Sequence, residues 1–174
     1  MVNTYYRNCL EAVAAGVSLR DNRAFVAFNL KKANLYAKDD ITSLIHDDHM
    51  IEVYDHSDVQ VFRSINFFDY CNYSLLDLLA REWMALYERL SSITESIFRE
   101  IKGSVAAKEL RRFETPSHIM KERDACPSGI FRTDFLYCCP LYNAPEQTAG
   151  YLLVLDVAEL DLVDPENEKF VFLR

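Results

Sequence analysis

Apolar residues recur along the chain at two periods, three-to-four and two, and the changes between them divide it into elements. In residues 4–14, Tyr5, Cys9, Leu10 and Val13 fall at helical spacing, and Gly16 stands where a helix C-terminal glycine belongs. Residues 16–29 (GVSLRDNRAFVAFN) set short apolar runs on either side of Arg-Asp-Asn-Arg, which predicts a β-hairpin with a polar tip. Residues 30–37 look helical, and Asp39 or Asp40 can cap a short helix through Ile45. A second hairpin is predicted from residues 50–54 (MIEVY) and 59–63 (VQVFR), joined by the polar turn DHSD. From Ser74 the pattern lengthens: Leu76, Leu79, Trp83, Leu86, Leu90, Ile93 and Ile97 step by three and four, one stripe of a helix. Unbroken to Lys102 it would be roughly 40 Å long at about 1.5 Å per residue, which overhangs a domain of this size. Ser74 with Asp77 resembles an N-terminal cap, and Ser92 with Glu95 a capping box that splits the helix near Ser91.

Beyond Gly103, residues 104–114 are open between helix and strand, and residues 115–128, with two prolines and much charge, read as a loop. In residues 130–141, Phe131, Thr133, Phe135, Tyr137, Cys139 and Leu141 share one face and Arg132 and Asp134 lie on the other, as in a half-buried strand. After the turn NAPEQT and Gly150, residues 151–157 are apolar on nearly both faces, as in a central strand. All four glycines are expected at element boundaries. The fold class that follows is α/β, of the α+β kind: an antiparallel sheet flanked by helices, with a long central helix or helix pair.

At 174 residues, half of them hydrophobic, the chain suits one domain, residues 1–174. A net charge of -8 argues against direct nucleic-acid binding, since the only dense basic run, residues 108–112 (KELRR), is interleaved with glutamate. Five cysteines, an odd number, and an N-terminus without a secretory layout point to a reducing cytoplasm. No run nears the roughly 18 apolar residues of a membrane span. The helical stripe has a second apolar edge in Leu75, Leu78, Met84, Tyr87 and Phe98, so it faces a core or a dimer interface.

His46-Asp-Asp-His49, with His56 and Asp58 behind, is the one cluster of metal-ligating residue types, and two histidines with a carboxylate make a conceivable metal-dependent enzyme. Its spacing matches no specific zinc pattern, and solvated turn residues are the plainer reading. Cys138 and Cys139 are strand neighbours that point to opposite faces, so they neither bridge nor grip one metal together. Cys126 lies in a loop without a histidine to activate it. Neither a nucleophile-base set nor a glycine-rich phosphate loop is present, so the chain is read as non-enzymatic.

The last strand pair, FRTDFLYCCPLYNAPEQTAGYLLVLDVAEL, resembles the closing hairpin of PAS and GAF sensor domains, where a strand ending in Pro-Leu turns into a Gly-led apolar strand. The family's opening, a strand, an Asp-rich turn, a strand and then an Asn that starts a helix, has two counterparts: Arg20-Asp21 through Asn29, and Tyr54-Asp55 through Asn66. The second is followed by Asn72-Tyr73-Ser74, similar to the Gly-Tyr-Ser step of PAS helices, and has the better spacing to the later strands. If it opens the domain, residues 1–49 are an N-terminal extension. The resemblance implies a homodimeric signalling or transcription-control sensor that binds a small molecule or a protein partner. Its ligand would lie against Phe131, Phe135, Tyr137, Cys139 and Tyr151, with no cofactor specified. A ligand-free interaction module with a solid core is the further alternative.

Overall fold

The hairpin expected at residues 50–63 is present, and its place in the sheet organises the rest. In the computed structural model, which describes residues 2–80, 86–125 and 128–159, β2 (Met50–Asp55) pairs antiparallel with β3 (Gln60–Arg63). Asp55 closes the turn by accepting from the backbone N–H groups of Ser57 and Val59 at 2.8 and 3.0 Å. The other edge of β2 carries β8 (Gln147–Glu159), the closing strand, in register from Met50 opposite Leu155 to Asp55 opposite Gly150. β8 continues into β7 (Ile130–Ala144), then β6 (His118–Glu122) and β4 (Tyr87–Glu88), giving the order β3-β2-β8-β7-β6-β4. Two short strands, β1 (Tyr36–Ala37) and β5 (Arg111–Arg112), also pair with β7. Every pairing is antiparallel. β8 is buried on both faces over residues 151–155, as a central strand must be.

The first predicted hairpin does not form. Asp21 accepts from the backbone N–H of Ala24 at 2.9 Å and caps helix α2 (Asn22–Lys32), whose buried Phe25, Val26, Asn29 and Leu30 follow a helical period. The polar tip of the expected turn is thus a helix start. Helix α1 (Val2–Ala14) ends as expected at Gly16, which takes φ +78°, but turns Leu10 and Val13 to solvent while burying Tyr5 and Ala12. Residues 30–37 divide between the end of α2 and β1 instead of forming one helix. Asp40 caps a single 3-10 turn, Ile41–Leu44, accepting from the Ser43 N–H.

The long stripe is likewise divided. After α3 (Phe67–Tyr70), helix α4 (Leu75–Ala80) starts at Ser74, whose hydroxyl and N–H both donate to Asp77. Leu76 is 65% exposed, so it is no part of a buried face, while Leu79, Trp83 and Met84 have side chains outside the described residues. β4 then precedes helix α5 (Ser91–Ala107), whose N-cap is Leu90 with no capping side chain. α5 runs through Gly103 and closes on Lys108 in the left-handed region, so the glycine lies inside a helix and not at a boundary. Residues 115–128, expected as a loop, contain β6, because β7 is long enough to pair a further strand along its first half.

The sheet has a core on each face. On the first, Met50, Tyr54, Phe131, Phe135, Tyr151, Leu153 and Leu155 meet Phe67, Tyr73, Leu86, Tyr87, Ile97 and Ile101 of the connecting segment. On the second, α1, α2 and the 3-10 turn bring Tyr5, Phe25, Val26, Leu30, Ile41 and Ile45 onto Ile51, Val53, Leu141, Leu152 and Val154. Residues 1–49 therefore contribute one wall of the fold. β7 changes face midway: its register with β8 slips between Phe135 and Tyr137, a β-bulge. Tyr137, Cys139 and Leu141 consequently pack in the second core, while Phe131 and Phe135 stay in the first.

Candidate functional site

The first core holds a polar cluster that begins with one charged residue on an apolar strand face. Glu52 sits between Met50 and Tyr54 on β2, and the hairpin register places Arg63 opposite it. Arg63 Nη2 meets Glu52 Oε1 at 2.5 Å, with side chains 3% and 10% exposed. The guanidinium carbon lies 3.8 Å above the Phe67 ring, a cation–π contact in a dry setting. Tyr54 donates to Glu52 Oε2 at 2.7 Å and accepts from Gln60 Nε2 at 3.0 Å. Its ring stacks on Tyr151 at 5.2 Å, and the Tyr151 hydroxyl donates to Asp58 at 2.9 Å. Burial works against the Arg63 charge and the Glu52 carboxylate restores it, so Arg63 stays a firm cation.

The far end of the sheet completes the cluster. Tyr87 lies on β4, the last strand of the order, and packs in the same core as Phe67, which follows β3, the first. Tyr87 packs edge-on to Tyr73 and Phe131 at 5.7 and 6.5 Å, and burial raises the proton affinity of its phenol. Arg89 lies among the same groups, with burial lowering its proton affinity and Glu52, Tyr54 and Tyr87 acting on it. His118 of β6 stacks on Phe135 at 5.9 Å, with Nδ1 3.1 Å from the Pro116 carbonyl. Nδ1 is thus the donor and Nε2 a bare acceptor.

Several enclosed polar atoms of this core have no hydrogen-bond partner: Arg63 Nε and Nη1, the Tyr87 hydroxyl, His118 Nε2 and Thr133 Oγ1. All four residues belong to one face of the sheet. Among the described residues the second core contributes a single such atom, Asn22 Oδ1. Buried polar groups are ordinarily paired, and each one left alone costs about 1–3 kcal/mol. The arrangement suits recognition more than covalent chemistry, because the neighbouring thiols are poor nucleophiles: burial pushes Cys71 and Cys138 up to about 12.

Of the residues expected to meet a ligand, Phe131, Phe135 and Tyr151 line this core, and Tyr137 and Cys139 lie across the sheet from it. The four candidate metal ligands do not converge. His49 Nδ1 is occupied by the His46 backbone N–H at 3.2 Å, and the two rings meet edge to face. Asn22 and Asn66 pin that loop through the His49 carbonyl, each at 2.7 Å. His56 and Asp58 lie at the opposite end of β2, about 20 Å away at strand rise, and Asp58 is engaged by Tyr151. No group of three or more metal-ligating side chains occurs among the described residues. Cys126 falls outside them.

Sequence reasoning did not find Glu52, Arg63, Tyr87 or His118. The signal for the first pair was present: a carboxylate between two apolar residues of one strand face, with a basic residue opposite across a four-residue turn.

Scanned against protein families, the sequence matches none, and a comparison with curated proteins likewise finds no match. Among solved structures it is similar to a PAS domain from Colwellia psychrerythraea, at 16% identity and a TM-score of 0.44, over 64% of this chain and 86% of that one. It is similar also to a light-oxygen-voltage domain from work on a flavin analogue, at 13% identity and a TM-score of 0.42, over 75% and 86%. The fold assignment rests on the sheet itself. The hairpin that carries Tyr54-Asp55 through Asn66 lies directly beside the Gly-led closing strand, and the hairpin expected at residues 16–29 is absent from the sheet. The fold is α+β, an antiparallel sheet with helices packed on it. No helix among the described residues is long and apolar enough to cross a membrane.

Proposed function

We propose that this chain is a signalling sensor domain that binds a small polar molecule between the first face of its sheet and the segment covering it. The observation that carries this reading is the gathering of unpaired, enclosed polar atoms on that one face: Arg63, Tyr87, His118 and Thr133. A fold does not maintain such groups in a dry core without a partner, and a bound molecule supplies one. Transmission runs through the cover, since α5 packs on the sheet through Ile97 and Ile101. The domain acts as a homodimer, for which the exposed Tyr6, Leu10 and Val13 on one side of α1 offer an apolar surface. Its acidic charge supports a cytoplasmic small-molecule or protein partner over nucleic acid. Native mass spectrometry of the freshly purified chain tests the reading. A retained small molecule is expected, and a bare protein that gains no mass or thermal stability from any metabolite supplied contradicts it.

A further inference from the structure

We infer that the cleft between α5 and β5 is a binding site for a phosphate group, free or borne on a small molecule, received by Arg99 and Arg111. The site lies outside the first-core reading above and stands or falls without it. The cleft has a volume of about 330 Å³, and Arg99, Arg111 and Arg112 line it together with the buried Phe113 and Cys138. Arg99 and Gly103 are four residues apart on α5, hence on one face of the helix. At Gly103 that face is bare backbone, and Arg111 occupies the gap: a Cβ there would come within 3.2 Å of Arg111 Nη1. The missing side chain thus gives the guanidinium a seat against α5, while the backbone of Arg111 is held separately by pairing with Cys138 of β7. The neighbouring carboxylates leave these cations unused. Glu100, in the same cleft, accepts from the Glu114 N–H at 2.6 Å, from the Thr115 N–H at 3.0 Å and from the Thr115 hydroxyl, so its oxygens are committed to the chain that follows β5. Glu109 stays 3.8 Å from Arg111 Nη2, too long for a hydrogen bond. Among the described residues Arg99 and Arg112 make no ion pair. A chain of net charge -8 therefore gathers three arginines in one cleft against Glu100 and Glu114, which makes the cleft locally cationic. Two guanidinium edges carry more N–H donors than the two oxygens of a carboxylate can take, whereas a phosphate monoester brings three terminal oxygens and a second charge.

The test is calorimetric titration of the full chain with inorganic phosphate, ribose 5-phosphate and ribose. At least one of the two phosphate probes is expected to bind about tenfold or more tightly than ribose. The ester binds more tightly of the two if the site serves a phosphorylated small molecule, and inorganic phosphate if it serves the free ion. Arg99→Gln and Arg111→Gln each weaken binding about tenfold with an unchanged denaturant midpoint, because both side chains are exposed. Gly103→Ala displaces the Arg111 guanidinium and weakens binding as well, whereas Glu114→Gln removes a like charge from the cleft and strengthens it. Phosphate probes that bind no more tightly than ribose, or an affinity that survives both arginine substitutions, overturn the proposal.

Discussion

Arg63 and Glu52 hold opposite charges where water cannot reach, and such a pair is far costlier to break from one side than to replace whole. Glu52→Gln is therefore expected to lower stability by about 3–5 kcal/mol, read as a fall in denaturant midpoint at unchanged slope. A loss below about 1 kcal/mol would show that solvent already serves Arg63. His118 gives the pH dependence its sign. Burial lowers its proton affinity in the folded state, as it does for His49. Above the unfolded value near 6.5 both states are neutral and the residue costs nothing. As pH falls below that, the unfolded chain takes up a proton that the folded chain refuses, and stability declines until the folded value is passed. Thermal unfolding of His118→Gln from pH 7 to 5 should show a shallower decline than the wild type, and parallel curves would place His118 in contact with water.

Elements were legible where one local rule acted without competition. The hairpin at residues 50–63 combined period-two patterning with a turn whose first Asp closes it, and β8 was apolar on both faces because it is flanked by strands and covered twice. The stretch at residues 16–29 offered two rules at once: its Asp read as a turn tip is in fact a cap, and the helical spacing of Phe25, Val26, Asn29 and Leu30 decides the outcome. The β7 alternation was read correctly up to Phe135, but a bulge has no signature in apolar pattern, so Tyr137 and Cys139 were assigned to the wrong face. β2 meets β8 closely at Gly150, where an added Cβ would lie 2.1 Å from the Tyr54 carbonyl oxygen. Gly150→Ala must part those strands directly beside the Tyr54–Tyr151 stack, at a cost of about 1–3 kcal/mol or more, with ligand retention lost. Asp21→Ala removes the α2 cap on the other face, at about 1 kcal/mol, and retention persists. If both variants lose or both keep the bound molecule, the site does not lie in the first core.

At the scale of the whole molecule, one sheet separates two cores of different character. The second is closed by α1, α2 and the 3-10 turn and is almost entirely satisfied, which suits a structural wall. The first keeps a buried ion pair, stacked aromatics and unpaired polar atoms on one face of the sheet. That asymmetry is the central claim, and it could not be read from the sequence because it depends on residues far apart in the chain, from Met50 to Val157, meeting on one face of the sheet and not on any local pattern. Native mass spectrometry of the wild-type chain, purified without denaturation, tests it most directly. The account predicts a species heavier than the 20.2 kDa chain by the mass of one small polar molecule per subunit, absent from Arg63→Met. A chain of unmodified mass whose stability no metabolite alters would contradict it.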